Sequence, residues 1–289
     1  MTIPITGHTG FTGLLGSPVS HSISPMMHNE SFRTLGLDYV YLCFDVKEEQ
    51  LDTAVAGLRA AGIHGFNLTM PNKNRMVELC DQLSPAASLI GAVNTVVNRN
   101  GQLIGHNTDG IGFWRSAEEA GFSSPGKNIT LMGMGGAATA IAVQAALDGV
   151  KELNIFARPT SRFWQRAIHL TDDMNKQTNC KVQLFEQQDT SLLKKCLDSS
   201  DILVNGTSVG MAPNTDASII PDPSLLHPEL TVADVIYNPR ETLLLQQAKA
   251  VGCPVFNGMY MLLYQGAEAF RLWTGIDMPV EHIKECYFR

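Results

Sequence analysis

The chain has 289 residues, 44% of them hydrophobic and 17% charged, which is enough apolar material for about two packed domains and too little charge for a disordered chain. Asp and Glu outnumber Lys and Arg by 28 to 21, a net charge of -7, and a mildly acidic chain is a poor match for a nucleic-acid backbone. A mean hydropathy of +0.00 argues against a membrane protein, and the first residues lack the basic and apolar regions of a secretory signal.

The first half alternates strand and helix signals. Strands are expected at 13–16, 39–45, 65–68, 93–97 and 103–105, with helices at 25–35, 48–61 and 110–120. Such alternation predicts an α/β architecture with a largely parallel sheet. The run Ser123-Ser124-Pro125-Gly126-Lys127 is turn chemistry and a plausible boundary. A second series follows, with strands at 128–132, 153–156, 182–185, 202–204, 232–235 and 254–256. Its helices are expected at 137–147, 162–175, 192–197 and 242–250. The segment 129–147 carries no charge, but its glycines, threonines and alanines make too weak a run to span a bilayer. From Gly258 onward the chain reads as helices that must pack on one of the other parts. The six cysteines (43, 80, 180, 196, 253 and 286) are scattered without a Cys-x-x-Cys pair, as in reduced cytosolic proteins. Neither they nor the eight histidines show metal-site spacing, so no metal is expected.

Chemistry is suggested first by Gly133-Met134-Gly135-Gly136-Ala137-Ala138, between a strand and a helix. This is the Gly-x-Gly-x-x-Ala spacing of a dinucleotide turn. Small residues let the backbone approach a pyrophosphate, and the helix N-terminus presents amides to it. An ordinary packed turn is the bland alternative. After the next strand come Arg158, Pro159, Thr160, Ser161 and Arg162, with no acid. Arginine there suits a 2′-phosphate, so NADP is the expected cofactor, with NAD also open; solvated helix-start charges would look the same.

Four polar clusters lie at the ends of N-terminal elements. They are Ser20–Pro25, Asn67–Lys73, Gly91–Thr95 and His106–Gly110. Ligands gather where strands of α/β sheets end, and hydroxyls, amides, one Lys and one Asp suit a polyhydroxylated acid. Singly, each has a structural reading: Ser24 before Pro25 as a helix cap, Thr108 or Asp109 as another, Asn94 satisfying a buried backbone group, and Lys73 as a solvated side chain.

Together these motifs resemble the shikimate dehydrogenase family, most closely its quinate/shikimate dehydrogenase branch. The matching stretches are Ser22-x-Ser24-Pro25, Asn67-x-Thr69-x-Pro71-x-Lys73, Gly91-Ala92-Val93-Asn94-Thr95, Asn107-Thr108-Asp109-Gly110, the glycine turn, Asn205–Met211, Tyr237-Asn238-Pro239 and Gly258-x-x-Met261-x-x-x-Gln265-Gly266. The resemblance implies an N-terminal α/β substrate domain, 1–110, completed by helices in 259–289. It also implies a Rossmann dinucleotide-binding domain, 111–258, with a cleft between the two. It further implies a cytoplasmic enzyme that oxidises shikimate and/or quinate at C3 reversibly, as in aromatic amino acid biosynthesis. Lys73 and Asp109 would be the catalytic pair. Ser22, Ser24 and Tyr41 would hold the substrate carboxylate, and Thr69, Asn94, Asp109 and Gln265 its hydroxyls. Tyr237 and Gly258 would lie near nicotinamide and substrate, and Gly133, Gly135, Gly136, Ala137, Arg158, Thr160, Thr207 and Met211 would serve the cofactor.

Departures from the family pattern are Met134 in the glycine turn and Ala157–Thr160, where the quinate-accepting branch often has Asn-Arg and then an acid. The expected partner is a small hydroxy acid, with no nucleic acid or membrane, and the choice between monomer and homodimer is open. Two rivals remain: a dehydrogenase for a related cyclic amino- or hydroxy acid, and a non-catalytic dinucleotide sensor. The pairing of Lys73 with Asp109 counts against the sensor.

Overall fold

A computed structural model describes residues 4–220 and 222–288. The chain divides into two units, Met1–Thr108 with Leu263–Arg289, and Asp109–Leu262. In chain order the first unit contains β1 (Gly10–Gly16), α1 (Ser24–Leu35), β2 (Tyr39–Asp45), α2 (Leu51–Ala60), β3 (Gly65–Leu68), α3 (Met76–Leu79), β4 (Gln82–Leu83), α4 (Pro85–Ile90), β5 (Thr95–Arg99) and β6 (Gln102–His106). The second contains α5 (Asp109–Glu119), β7 (Asn128–Met132), α6 (Gly136–Leu147), β8 (Glu152–Ala157), α7 (Trp164–Gln177), β9 (Lys181–Glu186), α8 (Thr190–Leu197), β10 (Ile202–Asn205), β11 (Thr231–Asp234), α9 (Leu243–Val251) and β12 (Val255–Phe256). Helix α10 (Met259–Thr274) leads back into the first unit, and α11 (Val280–Tyr287) ends the fold.

The first sheet has the order β2-β1-β3-β5-β6-β4. Only part of it is parallel, which corrects the expectation for this half. β1 pairs parallel with β2 and β3, whereas β5 runs antiparallel to both β3 and β6. The short β5–β6 connection, with Asn100 and Gly101 at positive φ, is a hairpin turn that reverses the chain. The antiparallel strand has a consequence for the site. The carboxyl ends of β1, β2 and β3 and the amino end of β5 meet on one edge, as the Asn67–Thr95 pairing shows. Three short elements that the sequence reading missed, α3, β4 and α4, occupy residues 76–90. Each is too short for a periodic signal, although Ser84 caps α4 by accepting the Ala87 amide and Pro85 opens it.

Apolar faces of β1, β3 and β5 and helices α2 and α3 enclose a core around Leu15, Leu51, Phe66, Met76 and Val96. Burying each such side chain contributes roughly 1.5–3 kcal/mol. The returning C-terminal helices belong to this unit: Trp273 on α10 donates from Nε1 to the Val96 carbonyl at 2.9 Å. Gly65 makes room for it, since a Cβ there would lie 2.2 Å from Trp273 Nε1.

The second sheet has the order β12-β11-β10-β7-β8-β9 and every pairing is parallel. This is the doubly wound Rossmann pattern. The uncharged 129–147 run resolves into β7, the glycine turn and α6. Among the described residues no helix is long and apolar enough to cross a membrane. Helix α6 is buried from Ala138 to Ala146, and its small side chains let α5 approach closely. A Cβ on Gly110 would sit 2.3 Å from the Ala140 carbonyl oxygen. Helix α7 begins at Trp164, not at Arg162, because residues 158–164 close two turns, Ser161 N to Arg158 O and Trp164 N to Ser161 O. The six cysteines are free.

Candidate active site

In the first unit the expected substrate residues line one sheet edge. Tyr41 is buried on β2, and its hydroxyl donates to Asn67 Oδ1 at 2.9 Å. It also shares a hydrogen bond with Ser24, and burial pushes its pKa well up, so the phenol keeps its proton. Cys43, two residues along and on the same face, meets Ser22. The cap expected at Ser24 is corrected. Ile23 is the N-cap, Ser24 is the first helical residue, and Ser22 Oγ accepts the Ser24 amide at 3.2 Å. Both serine hydroxyls therefore belong to the Tyr41 edge. The exposed backbone of edge strand β2 is covered by Asn29 of α1, which accepts the Tyr41 amide at 2.8 Å and donates to its carbonyl at 2.9 Å.

From Asn67 the hydrogen bonds continue. Its Nδ2 donates to Thr95 Oγ1 at 3.0 Å and to the Asn94 carbonyl at 3.2 Å. Thr95 Oγ1 donates to Asn94 Oδ1 at 3.0 Å. Asn94 Oδ1 also accepts the Thr108 amide at 2.8 Å, while Asn94 Nδ2 donates to Thr108 Oγ1 at 3.0 Å and Gln265 Oε1 at 3.4 Å. Thr108 Oγ1 donates to the Gln265 carbonyl at 3.0 Å. An unbroken polar chain thus links Tyr41, Asn67, Thr95, Asn94, Thr108 and Gln265. Asn67, Thr95 and Thr108 had no site role in the sequence reading. Their signal was membership of the polar clusters and family motifs, without an individual role.

Thr69 and Lys73 follow β3. The Thr69 amide is held by the Leu15 carbonyl at 3.0 Å, and its methyl would lie 2.2 Å from a Cβ on Gly16. Only glycine at 16 permits that approach. Lys73 is half-buried, and its carbonyl accepts the Val93 amide at 2.9 Å. Asp109, also half-buried, opens α5 directly after Thr108. Thr108 directly precedes α5, and its hydroxyl bonds Asn94 and the Gln265 carbonyl.

In the second unit the expected cofactor residues follow strand carboxyl ends, the edge at which α/β sheets take ligands. Gly133 has φ 95° after β7, and a Cβ on it would lie 2.6 Å from Thr207 Cγ2. Gly135 caps α6 without any side-chain cap bond, and nothing lies within 4 Å of a Cβ built on Gly135 or Gly136. The start of α6 is thus open beside Gly135 and Gly136, and the free amides of a helix's first turn are donors of the kind that bind phosphate. Met134 points inward, 6% exposed. Arg158 and Thr160 are exposed just after β8, and the Arg162 guanidinium lies 4.7 Å over the Phe163 ring.

Asn205 and Asp234, which the sequence reading did not assign, shape the next loop. Thr207 Oγ1 donates to Asn205 Oδ1 at 2.7 Å, Asn205 Nδ2 donates to Asp234 Oδ1 at 3.1 Å, and Thr242 Oγ1 donates to Asp234 Oδ2 at 2.7 Å. Burial raises the Asp234 pKa to about 6. Met211 and Tyr237 are exposed on adjoining loops, joined by the Ala212 amide on the Asn238 carbonyl at 3.1 Å. Gly258 comes so close to the backbone that a Cβ would meet Val235 O at 2.0 Å.

Residues 14–96 match the shikimate dehydrogenase substrate-binding domain model and residues 258–285 the shikimate 5′-dehydrogenase C-terminal domain model. A shikimate dehydrogenase (NADP+) of Listeria innocua is 50% identical over 288 residues, covering 100% of this chain and 99% of its own. The chain belongs to the shikimate dehydrogenase family. A crystal structure of shikimate 5-dehydrogenase from Listeria monocytogenes, in complex with shikimate and NAD, superposes with a TM-score of 0.95, at 50% identity and 99% coverage of both chains. More distant within the shikimate dehydrogenase fold are a quinate dehydrogenase from Corynebacterium glutamicum in complex with NAD and a 5-ketofructose reductase from Gluconobacter. The first gives a TM-score of 0.84 at 30% identity, covering 97% of this chain and 99% of its own. The second gives 0.85 at 33%, covering 97% and 98%.

Proposed function

We propose that this chain catalyses the reversible oxidation of shikimate to its 3-dehydro acid with NADP as the preferred cofactor. The observation that carries this reading is the 50% identity, along essentially the whole of both chains, to enzymes named shikimate dehydrogenase (NADP+). The exposed Arg158 and Thr160 after β8, with no acid beside them, favour a 2′-phosphate. NAD and quinate are the secondary cofactor and substrate.

A bound nicotinamide supplies the hydride acceptor or donor. The chain's own task is to hold the acid and to move one proton. Ser22 and Ser24 bind the carboxylate, with the buried Tyr41, whose hydroxyl is given to Asn67, positioned behind them, and Thr69, Asn94 and Gln265 hold ring hydroxyls. Lys73 takes the proton of the reacting hydroxyl on oxidation and returns it on reduction, while Asp109 orients the amine and the same hydroxyl. Two anchors on neighbouring residues support the pairing. The Lys73 carbonyl is fastened to the Val93 amide, and Thr108, which precedes Asp109, is fastened to Asn94.

Steady-state kinetics with shikimate and quinate against NADP+ and NAD+ tests the assignment. The highest kcat/KM is expected for shikimate with NADP+. A faster reaction with quinate or 5-ketofructose, or a strong NAD preference, would overturn it, and cofactor binding without turnover would favour the sensor. Lys73→Met should lower kcat by about 10²–10⁴ with the shikimate KM nearly unchanged; near wild-type turnover would remove Lys73 from proton transfer.

A further inference from the structure

On the first unit, helices α1 and α11 bring together three side chains for which the proposed reaction has no use. His282 and Cys286 lie one turn apart on α11 and Glu30 lies on α1. One ligand atom of each falls within 4.8 Å of the others. His282 Nε2 is 2.6 Å from Glu30 Oε1 and 3.7 Å from Cys286 Sγ. Thiol and carboxylate thus approach the same ring nitrogen. A proton relay would need them on opposite nitrogens, whereas three donors converging on one point is the arrangement of a metal site.

We propose that Glu30, His282 and Cys286 form a site for a divalent transition metal of the zinc class, with solvent as the fourth ligand. The donor set suits it: thiolate, imidazole and carboxylate together are zinc ligands, and an open fourth position is common. Zinc bond lengths at tetrahedral angles place N and S about 3.5 Å apart and N and O about 3.3 Å apart. The sulfur is already near that separation, and the carboxylate must withdraw by about 0.7 Å. Arg33 bonds both Glu30 oxygens, Nε reaching Oε2 at 2.9 Å and NH2 reaching Oε1. It keeps the carboxylate ionised, with a pKa of about 2, and can stay on Oε2 when Oε1 turns to the metal. Binding releases the thiol proton to solvent, moves the imidazole proton from Nε2 to Nδ1, and ties α11 to the helix that begins at Ser24.

Titration of the metal-stripped full-length protein with Co²⁺ tests this. One equivalent should produce a near-ultraviolet thiolate-to-cobalt charge-transfer band, which Zn²⁺ then abolishes. Cys286→Ser should remove the band, His282→Gln should weaken Co²⁺ binding at least about tenfold, and His227→Ala, on a half-buried loop position of the other unit, should change neither. Circular dichroism checks that the variants fold. Zn²⁺ should also raise the thermal midpoint of wild type and not of Cys286→Ser. Absence of the band in wild type, or its persistence in Cys286→Ser, would overturn the site.

Discussion

His28 is 0% exposed, and neither of its ring nitrogens has a hydrogen-bond partner among the described residues. It stacks on Tyr41 with centroids 4.4 Å apart and planes 8° from parallel, and Trp273 lies 5.2 Å away. An imidazolium here would be a buried, unpaired charge, so burial lowers the pKa from 6.5 to about 3. The folded protein leaves His28 neutral where the unfolded chain protonates it. This costs nothing above about pH 6.5 and removes stability progressively as pH falls toward 3, by about 5 kcal/mol in all. His28→Phe keeps a stacking ring without the titration. Relative to wild type it should gain about 3 kcal/mol between pH 7 and pH 4.5, read from urea unfolding at both pH values. An unchanged difference would mean that His28 titrates normally. Nothing in the sequence distinguished this histidine from the other seven; its position on the inner face of α1 became meaningful only with α10 packed over it.

At the level of elements, the glycine turn separates conformational need from ligand need. Gly133 and Gly258 are required by the fold, because their Cβ atoms would strike Thr207 and the Val235 carbonyl. Gly135 differs: its φ of -74° is open to any residue and its Cβ would meet nothing. Gly135→Ala should therefore leave the stability unchanged or raise it by up to about 1 kcal/mol, while the KM for NADP+ rises at least about tenfold by filling the pyrophosphate's space. Thermal melts and kinetics check this, and an unchanged KM would remove the turn from cofactor binding. The turn was legible because its meaning is local, a strand, three small residues and a helix. The Gly91–Thr95 cluster needed more. It precedes its strand whereas the Asn67–Lys73 cluster follows one, so the two can share an edge only if β5 runs antiparallel to β3. That pairing, which the expectation of a largely parallel sheet overlooked, carries Asn94 to Asn67.

Across the whole molecule the chain closes its first unit with its last residues. Trp273 donates to β5, Gln265 receives Asn94 and Thr108, and Phe270 lies beside His28. A ligand that binds only the folded state stabilises it by mass action. NADP+ at 100 times its Kd should therefore add about 2.7 kcal/mol to the unfolding free energy of the transition that includes the second unit, measured by urea denaturation with a tryptophan or dichroism readout. No shift at that concentration would contradict dinucleotide binding.

The alternation of strands and helices, the dinucleotide turn and the polar motifs were properties of the sequence alone, since each depends on spacing over a few residues. Sheet direction in the first half, the short elements at 76–90 and the chain from Tyr41 to Gln265 were decided only in three dimensions. So was the meeting of Glu30 with His282. Hydrogen bonds between residues 14 to 252 positions apart leave no periodic trace, and their partners become neighbours only when the sheet order and the returning C-terminal helices bring them together.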